Sequence, residues 1–360
     1  MSRELQSLQI LRAVAATSVI YYHIGAGPVF GSFGVDLFFV LSGFVMAKIL
    51  VTPTSVLNFS LGRVARIVPL YWALTTGLLL LAALKPDLLN STTANLWNYA
   101  KSLLFVPYFK ENGTLRPMLA VGWTLNYEMY FYACIGISLL VSKKRYQFIT
   151  GLLICSAYFL VGSRHDGSAA SAFFSNAQPF EFLLGMLLFN EYQKGRLAAV
   201  SGPLAIKLCV LMVALAYGFM ALAEAFRIQA NELWLYGIPS LLLLAGLLRL
   251  ESVMAPRPNR LVAWLTRMGD ASYATYLSHY YVVEAFRKVL LPKISWIEPD
   301  GPAAVVIIML ACLLTGDLLY RYADRPLSDF FRKRLLNKPR AFAMTGPAAP
   351  VGQSVGKSEA

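Results

Sequence analysis

The chain has 360 residues, 57% hydrophobic and 14% charged, with a mean hydropathy of +0.56; soluble domains are roughly a quarter charged, so a soluble globular enzyme is excluded. Its net charge of +13 bears less on nucleic acid than on topology, because in a polytopic protein the placement of Lys and Arg outweighs their sum. Four cysteines, Cys134, Cys155, Cys209 and Cys312, lie in apolar runs with no CxxC pairing, which speaks for core packing and against a disulfide framework or a metal site.

Apolar runs of about twenty residues recur along the chain, the length a helix needs to cross about 30 Å of hydrocarbon. No alternating barrel pattern accompanies them. The prediction is an all-α, polytopic membrane bundle of about ten transmembrane helices, centred on residues 6–25, 34–51, 68–84, 119–141, 147–162, 179–193, 205–224, 233–250, 270–291 and 303–323. The first run has no small-x-small cleavage site after it and is expected to stay as an anchor. With the N-terminus in the cytosol, 22 of the 32 basic residues fall on that side and nine outside, so both termini are expected to be cytosolic. The membrane domain is expected over residues 1–330 and a cytosolic tail over 331–360. Within the tail, NKPRAFAMTGPAAPVGQSVGKSEA is too poor in buriable apolar surface to offset ordering entropy and reads as disordered.

The first two spans carry what a membrane interior should reject. Arg12 and His23 are eleven residues, three helical turns, apart, which places both on one face about 16 Å apart along the axis. The short connection GAGPVFGSFG then leads to Asp36 in the opening turn of the second span. This is expected to set a carboxylate level with the imidazole, a pairing that can fix the tautomer of a general base. A satisfied core histidine and a helix-start carboxylate favoured by the macrodipole are the plainer alternatives. Ionisable groups at membrane depth are nevertheless functional hypotheses by default.

Next in the chain, LGRVARIVPLYW sets Arg63 and Arg66 at i, i+3, able to point at one phosphate-bearing ligand or simply to enforce topology and bind anionic lipid. The outer loop over 85–118 holds Trp97, Tyr99 and Tyr108, which read as an interfacial aromatic belt more readily than as a sugar-binding lid. The segment VGWTLNYEMYFY places Glu128 inside the fourth span, where an acid needs a partner. In GDASYATYLSHYYVVE, Asp270 and Ser272 read as N-terminal caps and His279 as a bundle hydrogen bond or a proton carrier. Asp317, Asp324 and Arg325 read as structural or interfacial pairs, and His165 receives no role. The absence of an internal duplication with matching broken helices weakens a transport reading.

In order and placement, LQILRAVAATSVIYYH, FGVDLFFVLSGF, GRVARIVPLYW, GWTLNYEMYFY and GDASYATYLSH resemble the acyltransferase-3 family, ten-span membrane enzymes that O-acetylate bacterial surface glycans, and in particular the branch acting on exopolysaccharides such as succinoglycan. The resemblance implies acetyl-CoA as acyl-donor co-substrate arriving from the cytosol, with Arg12, Arg63 and Arg66 as its binding residues and His23, Asp36 and Glu128 as the catalytic group. It further implies a glycan or lipid-linked oligosaccharide acceptor, the lipid bilayer of the bacterial inner membrane as setting, and no nucleic acid or metal. Many members add a hydrolase-like domain after the bundle; here a short tail follows, so single-domain transfer is expected. The competing reading is a transporter or flippase for an anionic glycolipid.

Overall fold

A backbone in hydrocarbon has no water to satisfy its polar groups, and a helix satisfies them within one segment. The computed structural model describes residues 5–25, 28–89, 92–197, 202–251, 259–294, 297–298 and 300–336. Among these the chain is helical, with one isolated bridge between Phe109 and Leu115 and no strand. In chain order the helices are α1 (Gln6–Ile24), α2 (Gly34–Ile49), α3 (Val56–Leu84), α4 (Leu96–Leu103), α5 (Trp123–Val141), α6 (Tyr146–Leu160), α7 (Ala169–Phe174), α8 (Pro179–Gln193), α9 (Pro203–Ala225), α10 (Ile238–Leu250), α11 (Arg260–Ala285), α12 (Pro302–Leu319) and α13 (Arg325–Leu336). Helix α13 occupies the start of the stretch expected as tail; residues 337–360 lie outside the described residues.

Six helical stretches among the described residues are long and apolar enough to cross a membrane: Val29–Ile49, Val56–Leu84, Tyr146–Arg164, Pro203–Ala225, Leu233–Leu250 and Pro302–Leu336. The chain is therefore a multi-pass membrane protein. The other four expected spans fall on α1, α5, α8 and α11. Of these, α8 has 15 residues, while the rest carry Arg12, Glu128, Asp270 and His279, polar residues that lower the mean hydropathy of their own helices.

The register of α1, α2, α8 and α11 positions everything polar. Helices α1 and α11 run parallel, since Arg12 meets Ser272 and, further along both, His23 meets His279. Residues 29–33 do not turn at the membrane surface; they descend alongside α1, with Ser18 Oγ donating to Gly31 O at 2.6 Å. At the foot of this descent Gly34 is pressed on the backbone carbonyl of Ala15, where a Cβ has no room. Helix α2 then lies on α8 with equal intimacy: Gly43 faces the carbonyl of Phe182, and Gly185 faces that of Val40. Small residues permit such backbone approach in a bilayer, where helix association relies on packing and hydrogen bonds.

The loop before α5 folds onto the bundle. Ser102 Oγ lies 2.9 Å from Tyr108 Oη and accepts from Met118 N at 2.8 Å, and Tyr71 Oη donates to Ser102 O at 3.1 Å. Tyr108 is buried here, unlike the exposed Trp97, so it packs beneath the loop and does not join an aromatic belt. All four cysteines are free, three of them buried.

Candidate functional site

A cavity of about 730 Å³ opens between α1, α2, α3, α5, α11 and α13. Thr54, Asn58, Arg63 and Arg332 lie on its wall toward the ends of α3 and α13, and Phe38, Thr124 and Tyr276 line its deeper part. Arg12, Arg63, Arg66 and Glu128, four of the six residues expected at the site, line this one space. His23 and Asp36 are not on its lining.

Each charge in the cavity is held differently. Glu128 and Tyr132 are one helical turn apart on α5, and Glu128 Oε1 accepts from Tyr132 Oη at 2.5 Å and from Ser42 Oγ of α2 at 3.1 Å. Arg12 donates from Nε to Ser272 Oγ at 3.1 Å; burial and the neighbouring Arg66 disfavour its charge, and Glu128 and Asp270 oppose them. Arg66 departs from expectation. Its Nη1 donates to both carboxylate oxygens of Asp324, at 2.8 and 2.7 Å, and Asp324 is fully buried. The guanidinium also sits 4.9 Å over the Tyr273 ring. A buried carboxylate requires a cation, so the Arg66 charge is already compensated. Arg63 differs: its Nε has no hydrogen-bond partner among the described residues, and it lies beside Tyr132.

Toward the other ends of α1 and α11 the His23 and His279 rings meet with centroids 4.9 Å apart. Carbonyl oxygens only accept hydrogen bonds, which assigns the protons. His279 Nδ1, 2.6 Å from Tyr276 O, carries a proton, leaving its Nε2 an acceptor. His23 Nδ1, 2.9 Å from Val19 O and 3.3 Å from His279 Nε2, carries a proton as well. The basic lone pair of His23 therefore resides on Nε2. Tyr276 belongs to both regions, lining the cavity with its ring and supporting His279 with its carbonyl.

The expected pairing of His23 with Asp36 is corrected by this arrangement. Because the chain descends along α1 before α2 starts, Gly34 lies at the level of Ala15, eight residues and about 12 Å below His23. Asp36 continues downward from there and faces α8, accepting from Gln178 Nε2 at 3.4 Å with Glu181 beside it. Asp36 and Glu181 are both buried. The imidazole that contacts His23 is the one on α11.

Sequence reasoning missed Tyr132, Ser42 as a partner of Glu128, Glu181, and Asp324 as the partner of Arg66. A signal existed for Tyr132, whose i, i+4 spacing from Glu128 on one helix face allows contact. No group of three or more His, Cys, Asp or Glu among the described residues is placed to hold a metal ion.

The acyltransferase domain family matches residues 5–336. Exopolysaccharide production protein ExoZ of Rhizobium meliloti is 33% identical over 305 residues, covering 82% of this chain and 89% of that protein. Putative peptidoglycan O-acetyltransferase YrhL of Bacillus subtilis is 26% identical over 363 residues, covering 90% of this chain, which spans only 55% of that relative's length. Acyltransferase MdmB of Streptomyces mycarofaciens is 25% identical over 374 residues, covering 92% and 93%. No solved structure matches.

Proposed function

We propose, from the premise that this chain belongs to the acyltransferase-3 family, that it moves an acetyl group from cytosolic acetyl-CoA to a hydroxyl of an exopolysaccharide or another surface glycan precursor. Relatives named for exopolysaccharide production and for O-acetyl transfer favour transfer over export of a glycolipid. In this reading the chain crosses the bacterial inner membrane about ten times with both termini in the cytosol. The observation that carries it is the shared cavity: guanidinium groups on its wall at one end, Arg12 and Glu128 within, and Tyr276, the support of the histidine pair, on its deeper lining.

The nucleotide of the donor rests at the Arg63 end, and the pantetheine arm runs past Arg12 toward Tyr276. The axial separation of Arg12 from His23, about 16 Å, suits an extended arm, and the thioester passes the Phe38 and Tyr276 rings, whose centroids are 5.8 Å apart, to reach the histidines. His23 Nε2 takes the proton of the acceptor hydroxyl as its oxygen bonds to the thioester carbonyl carbon. The carbon–sulfur bond breaks, and the imidazolium returns the proton to the leaving thiolate. Val19 O and His279 Nε2 hold the Nδ1 proton throughout and favour the imidazolium while it lasts. Glu128 keeps Arg12 and Tyr132 in place along the path.

The test is label transfer from radioactive acetyl-CoA to polysaccharide by the purified chain in lipid nanodiscs. Ester-linked label on the acceptor is expected, and His23→Ala is expected to reduce it by about 10²–10⁴-fold, the contribution typical of a general base, with thermal unfolding unchanged. Full transfer by that variant removes His23 from the chemistry, and no transfer by the folded wild-type chain to any glycan acceptor overturns the reading.

A further inference from the structure

The cavity has a wall that the expected site residues do not account for. Arg325, Ser328, Asp329, Arg332 and Leu336 all line it, and their spacing of three, four, seven and eleven residues from Arg325 is that of one helix face. Arg325, Asp329, Arg332, Lys333 and Arg334 are all exposed, and of these only Lys333 and Arg334 are absent from the lining. The helix is fixed in this pose from its start, because Asp324 immediately precedes it and is gripped by Arg66 of α3.

The charges along this wall are unequal in commitment. Arg66 is paired with Asp324, and Arg12 is tied through its Nε to Ser272 Oγ. Arg63, Arg325 and Arg332 enter none of the ion pairs found among the described residues. Three guanidiniums therefore converge on one space with Asp329 as the carboxylate of that helix face. Planar guanidinium forks match phosphate oxygens, and a carboxylate among them suits the exocyclic amine of a purine. An anionic lipid headgroup offers phosphate too, but this exposed face forms the mouth of a cavity that also holds Arg12 and Glu128, whereas Lys333 and Arg334 remain for the lipid surface.

We infer that the inward face of α13, through Arg325 and Arg332 together with Arg63, binds the phosphates of the nucleotide portion of the acyl donor. The inference rests on the proposed use of acetyl-CoA and deepens it by moving the phosphate site from Arg66 to the last described helix.

Full-length protein in nanodiscs, with and without anionic lipid, is compared with the Arg325→Gln/Arg332→Gln double variant on acetyl-CoA and on S-acetylpantetheine, which lacks the nucleotide. The KM for acetyl-CoA is expected to rise about 10- to 100-fold, the loss appropriate to charge-assisted hydrogen bonds, with kcat little changed and S-acetylpantetheine kinetics unaffected. Lys333→Gln/Arg334→Gln is expected to match wild type. An unchanged KM, an equal rise for both donors, or an effect seen only with anionic lipid overturns the inference. Calorimetric binding of adenosine 3′,5′-bisphosphate separates this inference from the transfer reading. Binding that is lost in the double variant upholds the site even if no acetyl transfer is found, and binding that the double variant retains overturns the site even if transfer proceeds.

Discussion

His279 Nε2 lies 3.3 Å from His23 Nδ1, and backbone carbonyls one turn behind each ring, Tyr276 O and Val19 O, set which nitrogens carry protons. His279 thus stands beside His23 where a carboxylate was expected, and in the proposed reaction it acts through His23 as a positioning residue. Replacing His279 by Ala should lower kcat, by less than the about 10²–10⁴-fold a general base supplies, and leave the KM for acetyl-CoA unchanged. His279→Gln, whose side-chain carbonyl can still accept from Nδ1, should recover part of the loss. Equal kcat in the Ala variant would assign the contact to packing alone.

The Arg66–Asp324 pair joins α3 to the start of α13 through a carboxylate with no solvent exposure. Breaking such a pair from one side leaves an uncompensated buried charge and costs about 3–5 kcal/mol. Arg66→Ala should therefore reduce unfolding stability by that order, Asp324→Asn by less, and the Arg66→Ala/Asp324→Ala double variant should recover most of it. Thermal unfolding of the four proteins in one detergent measures the coupling, and additive losses would show that the two side chains do not support each other.

Fold class was legible because hydropathy runs report directly on a solvent of fixed thickness, and Arg12, Arg63 and Glu128, which line the cavity, stood out because charge in an apolar run is conspicuous. Asp36 was misplaced for a specific reason. A ten-residue connection between two spans looks like a surface turn, while the backbone contact of Gly34 with Ala15 that sets the true depth leaves no periodic trace. Long-range pairs were equally hidden: His23 with His279 and Arg66 with Asp324 are separated by more than 250 residues, and helix spacing speaks only about neighbours along the chain. Glu181 escaped notice altogether, and only the packing of α2 on α8 reveals it beside Asp36.

That acid pair makes its own prediction. Asp36 and Glu181 are buried side by side in side-chain contact, and two carboxyls at that approach must share a proton. Glu181→Gln keeps the shape and replaces the shared proton by an amide N–H that donates to the Asp36 carboxylate. Unfolding stability should therefore stay within about 1 kcal/mol of wild type, the scale of one hydrogen bond, with acetyl transfer retained. A larger fall in stability would mean that both acids are needed as they stand.

Lys110, in the loop folded over the end of the bundle, donates from Nζ to Thr92 Oγ1 at 3.0 Å and to Met118 O at 3.2 Å. Burial pulls its ammonium from an ordinary value of 10.5 down to about 8, with Glu111 opposing and Arg116 reinforcing the change. Between pH 8 and 10.5 the unfolded chain holds a proton that the folded chain has released, so stability must rise with pH across that window, by up to about 3 kcal/mol, and level off on either side. Hydrogen exchange of residues 104–118 followed from pH 7 to pH 10.5, corrected for intrinsic exchange, should show protection increasing in the wild-type chain. Lys110→Met has no proton to release and should give a flat profile. An identical slope in both proteins would place the titration on another group.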